Sequence, residues 1–179
     1  MLASAGVAHD VRAPSLDEST IKRGFAGDGA SLALTLAEAK AQSIAANFGD
    51  WVIGSDSTIS VDGTLYSKPR DRGEAADHLA AFSGRPMLLA SAVALANRGR
   101  LDWSQADTAT LHVRTLSANF IADYLDLEWP AVAYCVGVFR IEARGVTLFD
   151  RIDGNHFTIL GMPLLPLLSA LRERKLLPS

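Results

Sequence analysis

Met87-Leu88-Leu89-Ala90-Ser91-Ala92-Val93-Ala94-Leu95-Ala96 is apolar at every position but Ser91. A run of this length without a polar face predicts a strand covered on both sides and central to a sheet. Asn97 to Arg100 turns the chain back after it. Upstream, Arg72 to Phe82 reads as a helix that stops near Gly84, and Ile59 to Leu65 as a hairpin around the turn pair Asp62-Gly63. Trp51 to Ile53 reads as a short apolar strand that gives way to Gly54-Ser55-Asp56. The clearest helix is Ser31 to Asn47, rich in Ala, Leu, Glu and Lys and ended by Gly49-Asp50. Downstream, Ala109 to Arg114 alternates as a strand does, and Ser117 to Leu127 is helical with Ser117 as N-cap. Val136 to Glu142 and Thr147 to Ile152 are expected as strands around Arg144-Gly145. Leu164 to Lys175 is the closing helix, with Pro163 and Pro166 at its start. Helices interleaved with hairpins predict an α/β fold, a twisted mixed sheet flanked by helices.

The chain has 179 residues, enough for one domain or two small lobes sharing a core. Its composition, 49% hydrophobic and 21% charged, is that of a soluble globular protein. A net charge of -3 argues against a broad DNA- or RNA-binding surface, which needs clustered Lys and Arg. The first residues, Met1 to Val11, lack a long apolar stretch, so neither a signal peptide nor a membrane span is expected. The single cysteine, Cys135, excludes an internal disulfide and fits a reducing, cytoplasmic setting. It lies in an apolar run and reads as a buried structural thiol.

Several polar residues could carry chemistry. Asp56 follows an apolar strand, where a carboxylate can face a cleft and hold a cation or orient water; a turn aspartate is the simpler reading from spacing alone. Pro69 stiffens the loop at Lys68, and a fixed lysine is a good phosphate counter-charge. Asp17-Glu18 supplies acidic groups. Glu38 and Lys40, two apart on a helix, point different ways, so one can line a cleft while the other is solvated. In Ser83-Gly84-Arg85, Gly84 permits a tight turn whose N–H groups could meet an anion, an ordinary helix stop being the alternative.

Taken in order, Asp17-Glu18, Ala39-Lys40-Ala41, Gly54-Ser55-Asp56, Ser67-Lys68-Pro69, Phe82-Ser83-Gly84-Arg85, Val136-Gly137, Glu142 and Leu160-Gly161-Met162-Pro163-Leu164 resemble the Maf family of nucleoside triphosphate pyrophosphatases along nearly the whole chain. The resemblance implies a Maf/ITPase-like domain over residues 1–179, with two lobes and a central cleft. It implies a hydrolase that cuts a nucleoside triphosphate to the monophosphate and pyrophosphate with a divalent metal, Mg or Mn. Asp56 matches the catalytic carboxylate, supported by Glu18 and Lys68. Asp56, Glu18 and Glu38 would hold the metal, and Lys40, Ser57, Ser83, Arg85 and Glu142 would bind substrate. Homodimers are common in the family. A catalytically weak nucleotide-binding regulator of cell division is the other reading. Family members begin with a strand and a Ser/Arg loop that have no counterpart before Met1-Leu2-Ala3, which is expected to lie inside the first helix. The chain is therefore expected to be short at its amino end, through a misassigned start or as a natural short form.

Glu142 bears on the base. A Glu at this place resembles the branch acting on 7-methyl-GTP and a Gln the branch acting on dTTP and UTP. A carboxylate accepts from the guanine N1–H and N2–H donors and favours the cationic ring that N7 methylation creates. Ser57 matches neither branch's usual neighbour of the aspartate.

Overall fold

Alternation along a strand sends Ala90, Ala92, Ala94 and Ala96 to one side of β3 (Pro86–Asn97) and Ser91, Val93 and Leu95 to the other. In the computed structural model, which describes residues 1–44 and 50–178, each side is covered by a different helix. Among the described residues the five strands are β1 (Trp51–Val61), β2 (Thr64–Tyr66), β3, β4 (Arg100–Val113) and β5 (Phe149–Asp153), in the order β2-β1-β3-β4-β5. The apolar run thus lies in the middle strand, as its composition predicts. The chain divides into two compact units, Met1–Ser57 with Ala90–Asp107 and Asn155–Ser179, and Thr58–Leu89 with Thr108–Gly154. β1, β3 and β4 give a stretch to each.

In the first unit, β1 runs against β3: Asn97 donates to the Asp50 carbonyl at 3.1 Å and Ser55 to the Ala92 carbonyl at 2.8 Å. β3 returns into β4 through Arg98-Gly99, whose φ values of 53° and 72° are those of a two-residue hairpin turn. On the alanine side lies α2 (Gly29–Ser43), started by Asp28, which caps the Ser31 N–H at 2.8 Å. Ala33, Ala37 and Ala41, one turn apart, pack on the β3 alanines. The backbones come so close that a Cβ on Gly54 of β1 would stand 2.2 Å from the Ala37 carbonyl oxygen and 2.5 Å from the Ala41 nitrogen. On the other side α6 (Leu164–Glu173) buries Leu164, Leu167, Ala170 and Leu171 against Val93, Leu95 and Val7. Short α5 (His156–Ile159) precedes it, and α1 (Glu18–Gly24) precedes α2.

In the second unit, Asp62-Gly63 turns β1 into β2 with φ of 50° and 79°, as the sequence predicts. α3 (Arg72–Phe82) and α4 (Ala118–Glu128) pack together and are joined by an Arg72–Asp126 ion pair. Tyr66 meets His78 and Phe82 edge-on, with ring centroids 5.1 and 4.7 Å away. Ser117 caps α4 by accepting from the Phe120 N–H at 3.2 Å. β5 runs against β4, with a bulge between His112 and Val113.

Several boundaries differ from the sequence reading. β1 continues through Gly54-Ser55-Asp56, because the glycine serves helix packing rather than a turn. α2 ends at Ser43; the expected Asn47 terminus and Gly49 lie outside the described residues. β4 begins at Arg100, its polar first half being the return leg of the hairpin. The expected strand Val136 to Glu142 is irregular chain and turn, and Arg144–Leu148 is a 3-10 turn before β5. That apolar stretch is interrupted by Gly137 and by Val138, whose φ of 56° no strand contains. At the amino end, Ala3–Ala5 form one 3-10 turn.

Gly54→Ala is expected to cost about 3 kcal/mol, since the new methyl group meets backbone that cannot rotate away. Gly24→Ala, where the added Cβ has nothing within 4 Å, is the control and should be neutral or stabilising. Denaturant midpoints measure both, and equal effects would refute the close approach.

Candidate active site

Asp56 lies on the same side of β1 as Gly54, two residues earlier, and therefore faces α2. Because Gly54 lets that helix sit against the strand, Lys40 reaches Asp56 and ion-pairs with its Oδ1. The same Nζ is 2.9 Å from Oε1 of Glu18, the first residue of α1. Asp17 caps that helix, accepting from the Ser19 N–H at 3.0 Å and the Thr20 hydroxyl at 2.7 Å. The second Glu18 oxygen takes Lys22, one turn on, at 2.9 Å. Two carboxylates from a helix and a strand therefore converge on one ammonium.

Their proton affinities are driven apart. Burial alone would raise the Glu18 carboxyl, but Lys22 and Lys40 outweigh it and hold it at about 2. For Asp56, 14% exposed, burial prevails over Lys40 and raises the carboxyl above the usual range. Burial would lower Lys40, and the two carboxylates more than reverse that. Glu18 is thus a fixed anion and Asp56 the better proton acceptor of the two.

Ser55 and Ser57, flanking Asp56, point to the other side of β1. The Ser55 hydroxyl lies 2.8 Å from the Ala92 carbonyl and 2.9 Å from the Gly161 carbonyl. Ser57 is 2.7 Å from the Ser91 hydroxyl, which donates to the Thr158 carbonyl at 2.7 Å; Thr158 in turn donates to Asp107 at 2.5 Å. Ser91 has committed its proton, so Ser57 donates to it. This hydroxyl chain fixes β1 on both sides of Asp56. Glu38 is held elsewhere, accepting from Ser104 at 2.6 Å. Among the described residues no three His, Cys, Asp or Glu side chains gather as a metal site, so the structure joins Glu18 and Asp56 without Glu38.

The Maf-like protein family model matches residues 1–174. The chain belongs to the Maf-like family. It is 45% identical over 177 residues to a 7-methyl-GTP pyrophosphatase of Rhizobium meliloti, covering 97% of this chain and 89% of that protein. A nucleoside triphosphate pyrophosphatase of Sphingopyxis alaskensis is 43% identical over 184 residues, covering 100% and 93%. A 7-methyl-GTP pyrophosphatase of Rhizobium johnstonii is 39% identical over 177 residues, covering 97% and 89%.

The remaining sequence-predicted residues of this Maf-like chain belong to the second unit. Lys68 is exposed beside the buried Pro69 and forms no ion pair among the described residues. Arg85 meets Asp62 at 3.1 Å. The Ser83 hydroxyl accepts from the Leu116 N–H at 2.8 Å. The backbone of Ser83-Gly84-Arg85 is not an anion cradle: its three N–H groups donate to the carbonyls of Leu79, Arg114 and Phe82. Gly84, at φ of 71°, makes the turn that allows this. Glu142 is exposed in the turn before Arg144. No helix among the described residues is long and apolar enough to cross a membrane.

Sequence reasoning missed Lys22, which the four-residue spacing from Glu18 could have revealed. It also missed Thr158 and Asp107, which no motif signals. The depressed Glu18 carboxyl has a consequence for stability. Its contribution is complete above its ordinary value of 4.5 and lost as pH falls toward about 2. Thermal melts of the parent and Glu18→Gln should therefore converge across that window, and a gap that stays constant with pH would contradict the assignment.

Proposed function

We propose that this Maf-like chain hydrolyses a nucleoside triphosphate between the α and β phosphates, releasing the monophosphate and pyrophosphate. We propose further that an N7-methylated guanosine triphosphate is its preferred substrate. The observation that carries the hydrolytic reading is the convergence of Glu18, Lys40 and Asp56 around one cationic centre.

Two oxyanions already arranged about a positive charge suit a small divalent cation such as Mg or Mn, which prefers oxygen donors. Glu18 and Asp56 are the residues that would hold it. When bound, such an ion neutralises phosphate charge and polarises the bond to be cut. The chain's own groups do the rest. Asp56 accepts the proton of the attacking water, and its raised proton affinity suits that task. Glu18 stays ionised throughout the neutral range and keeps Lys40 charged and in place. Lys40 is a counter-charge for the phosphates, and Ser57, tied to Ser91, keeps β1 in register beside Asp56.

Lys68, Ser83 and Arg85 are proposed as phosphate contacts on the strength of the motifs they occupy. Glu142 is proposed to read the base. Its carboxylate is exposed, acceptor-only and negative, the chemistry that suits the N1–H and N2–H edge of a cationic methylated guanine. The names of the Rhizobium relatives favour the same substrate, whereas that of the Sphingopyxis relative leaves the base open.

Asp56→Asn removes the charge at nearly constant volume. Because burial makes the charged form costly, the variant should melt no lower than the parent at neutral pH while its kcat falls about a thousandfold or more. Phosphate release coupled to an added inorganic pyrophosphatase measures the rate. Retained turnover removes Asp56 from catalysis; nucleotide binding by the parent without turnover would favour the regulatory reading.

A second expectation concerns the base. Glu142→Gln should lower the preference for 7-methyl-GTP over UTP by about tenfold or more, the scale of one charge-assisted hydrogen bond. An unchanged ranking of the two substrates would free Glu142 from base recognition.

A further inference from the structure

Glu128, the last residue of α4, is only 5% exposed. A carboxylate so buried needs a partner, and it has Arg140: one Glu128 oxygen accepts from Nε at 3.2 Å and from a terminal guanidinium nitrogen at 2.8 Å. Arg140 stands two residues before the exposed Glu142, close enough for the Glu142 charge to act on it.

The chain between them is held from several directions. Tyr124, one turn before Glu128 on α4, donates its buried hydroxyl to the Val138 carbonyl at 2.9 Å. Val138 itself sits at φ of 56°, a conformation that a β-branched residue adopts only when its surroundings impose it. The Arg140 carbonyl accepts from the Ala143 N–H at 3.1 Å. Gly145 lies so near that a Cβ there would come within 2.5 Å of the same carbonyl oxygen. Held this way, the turn keeps the Arg140 guanidinium directed at α4.

Arg140 and Arg144 each stand two residues from the Glu142 carboxylate, and an arginine turned toward it would offset its charge. Engaged by Glu128 from the inside, Arg140 is not available for that role. The geometry points to Glu128 as a positioning residue for base selectivity: by holding Arg140 it leaves the Glu142 carboxylate free to meet a cationic base. This rests on the reading of Glu142 given above.

The test is steady-state kinetics of the full chain with 7-methyl-GTP and GTP. Glu128→Gln releases Arg140 toward Glu142, so KM for 7-methyl-GTP should rise about tenfold and KM for GTP, which offers the same N–H donors without the cationic ring, should rise less, while kcat changes little. Adding Arg140→Met to Glu128→Gln removes the released cation and should restore the parent's KM. A purely structural role for Glu128 does not predict that rescue. If the parent discriminates between the two nucleotides and Glu128→Gln discriminates equally well, the inference falls and the reading of Glu142 stands. A parent indifferent to N7 methylation overturns both. Should Glu128→Gln fail to fold, the double variant decides alone: it must keep the parent's ranking, and losing it overturns the inference.

Discussion

The contact on which the site depends has no side chain on one of its surfaces. Gly54 lets the backbone of α2 lie against β1 at a distance that any Cβ would forbid. The alanine stripes Ala33, Ala37, Ala41 and Ala90, Ala92, Ala94, Ala96 extend the same close approach across β3. Small residues bury little area each, so this interface adds less hydrophobic stabilisation than the leucine face under α6. What it supplies is position. A lysine on a helix at ordinary distance from the strand would need an extended, mobile side chain to reach Asp56. Here its ammonium is fixed by two carboxylates and is itself only 18% exposed.

That fixed ammonium explains why two similar acids have opposite tendencies. Glu18 answers to two lysines and keeps a third of its surface in water, so its anion is favoured. Asp56 answers to one lysine and is enclosed by the sheet, so its proton is held more tightly. Carboxyls pushed apart in this way divide the work of an acid–base site between a permanent charge and an exchangeable proton. The hydroxyls of Ser55 and Ser57 belong to this arrangement although they point away from it. They bond to β3 and to the chain entering α6, so β1 cannot slip and carry Asp56 off its lysine.

Much of this was legible in the sequence where a local rule governs. The apolar run at Met87 to Ala96 could only be an inner strand, and Asp62-Gly63 could only turn a hairpin. Ser117 announced its helix. Asp56, Lys40 and Glu18 were legible through the order of short motifs; that they share one centre is a tertiary fact, set by helix packing that no spacing encodes. In the sequence β1 reads as ending too early, before Gly54, for the same reason, since a glycine that closes a strand and a glycine under a helix look alike in one dimension. The stretch from Val136 to Glu142 misled because apolar composition reports burial, and burial is met here by a strained turn packed on α4.

The two places also differ in what change they tolerate. Asp56 and Lys40 stand on a strand and a helix whose backbones meet at Gly54, where a substitution changes the charge at the centre of the site. Glu142 stands on an exposed turn, where an acid-to-amide exchange alters hydrogen-bonding character at almost no structural cost. Of two relatives of similar identity to this chain, one is named for 7-methyl-GTP and the other for nucleoside triphosphates in general. Such freedom has a condition. A charged reader at Glu142 would work only while its neighbours leave it unpaired, and Arg140, two residues away, is tied to a carboxylate buried at the end of α4. If Glu142 reads the base, divergence in base preference within the family should follow residues 128 and 140 as well as 142, because a reader and the ion pair beside it form one electrostatic unit.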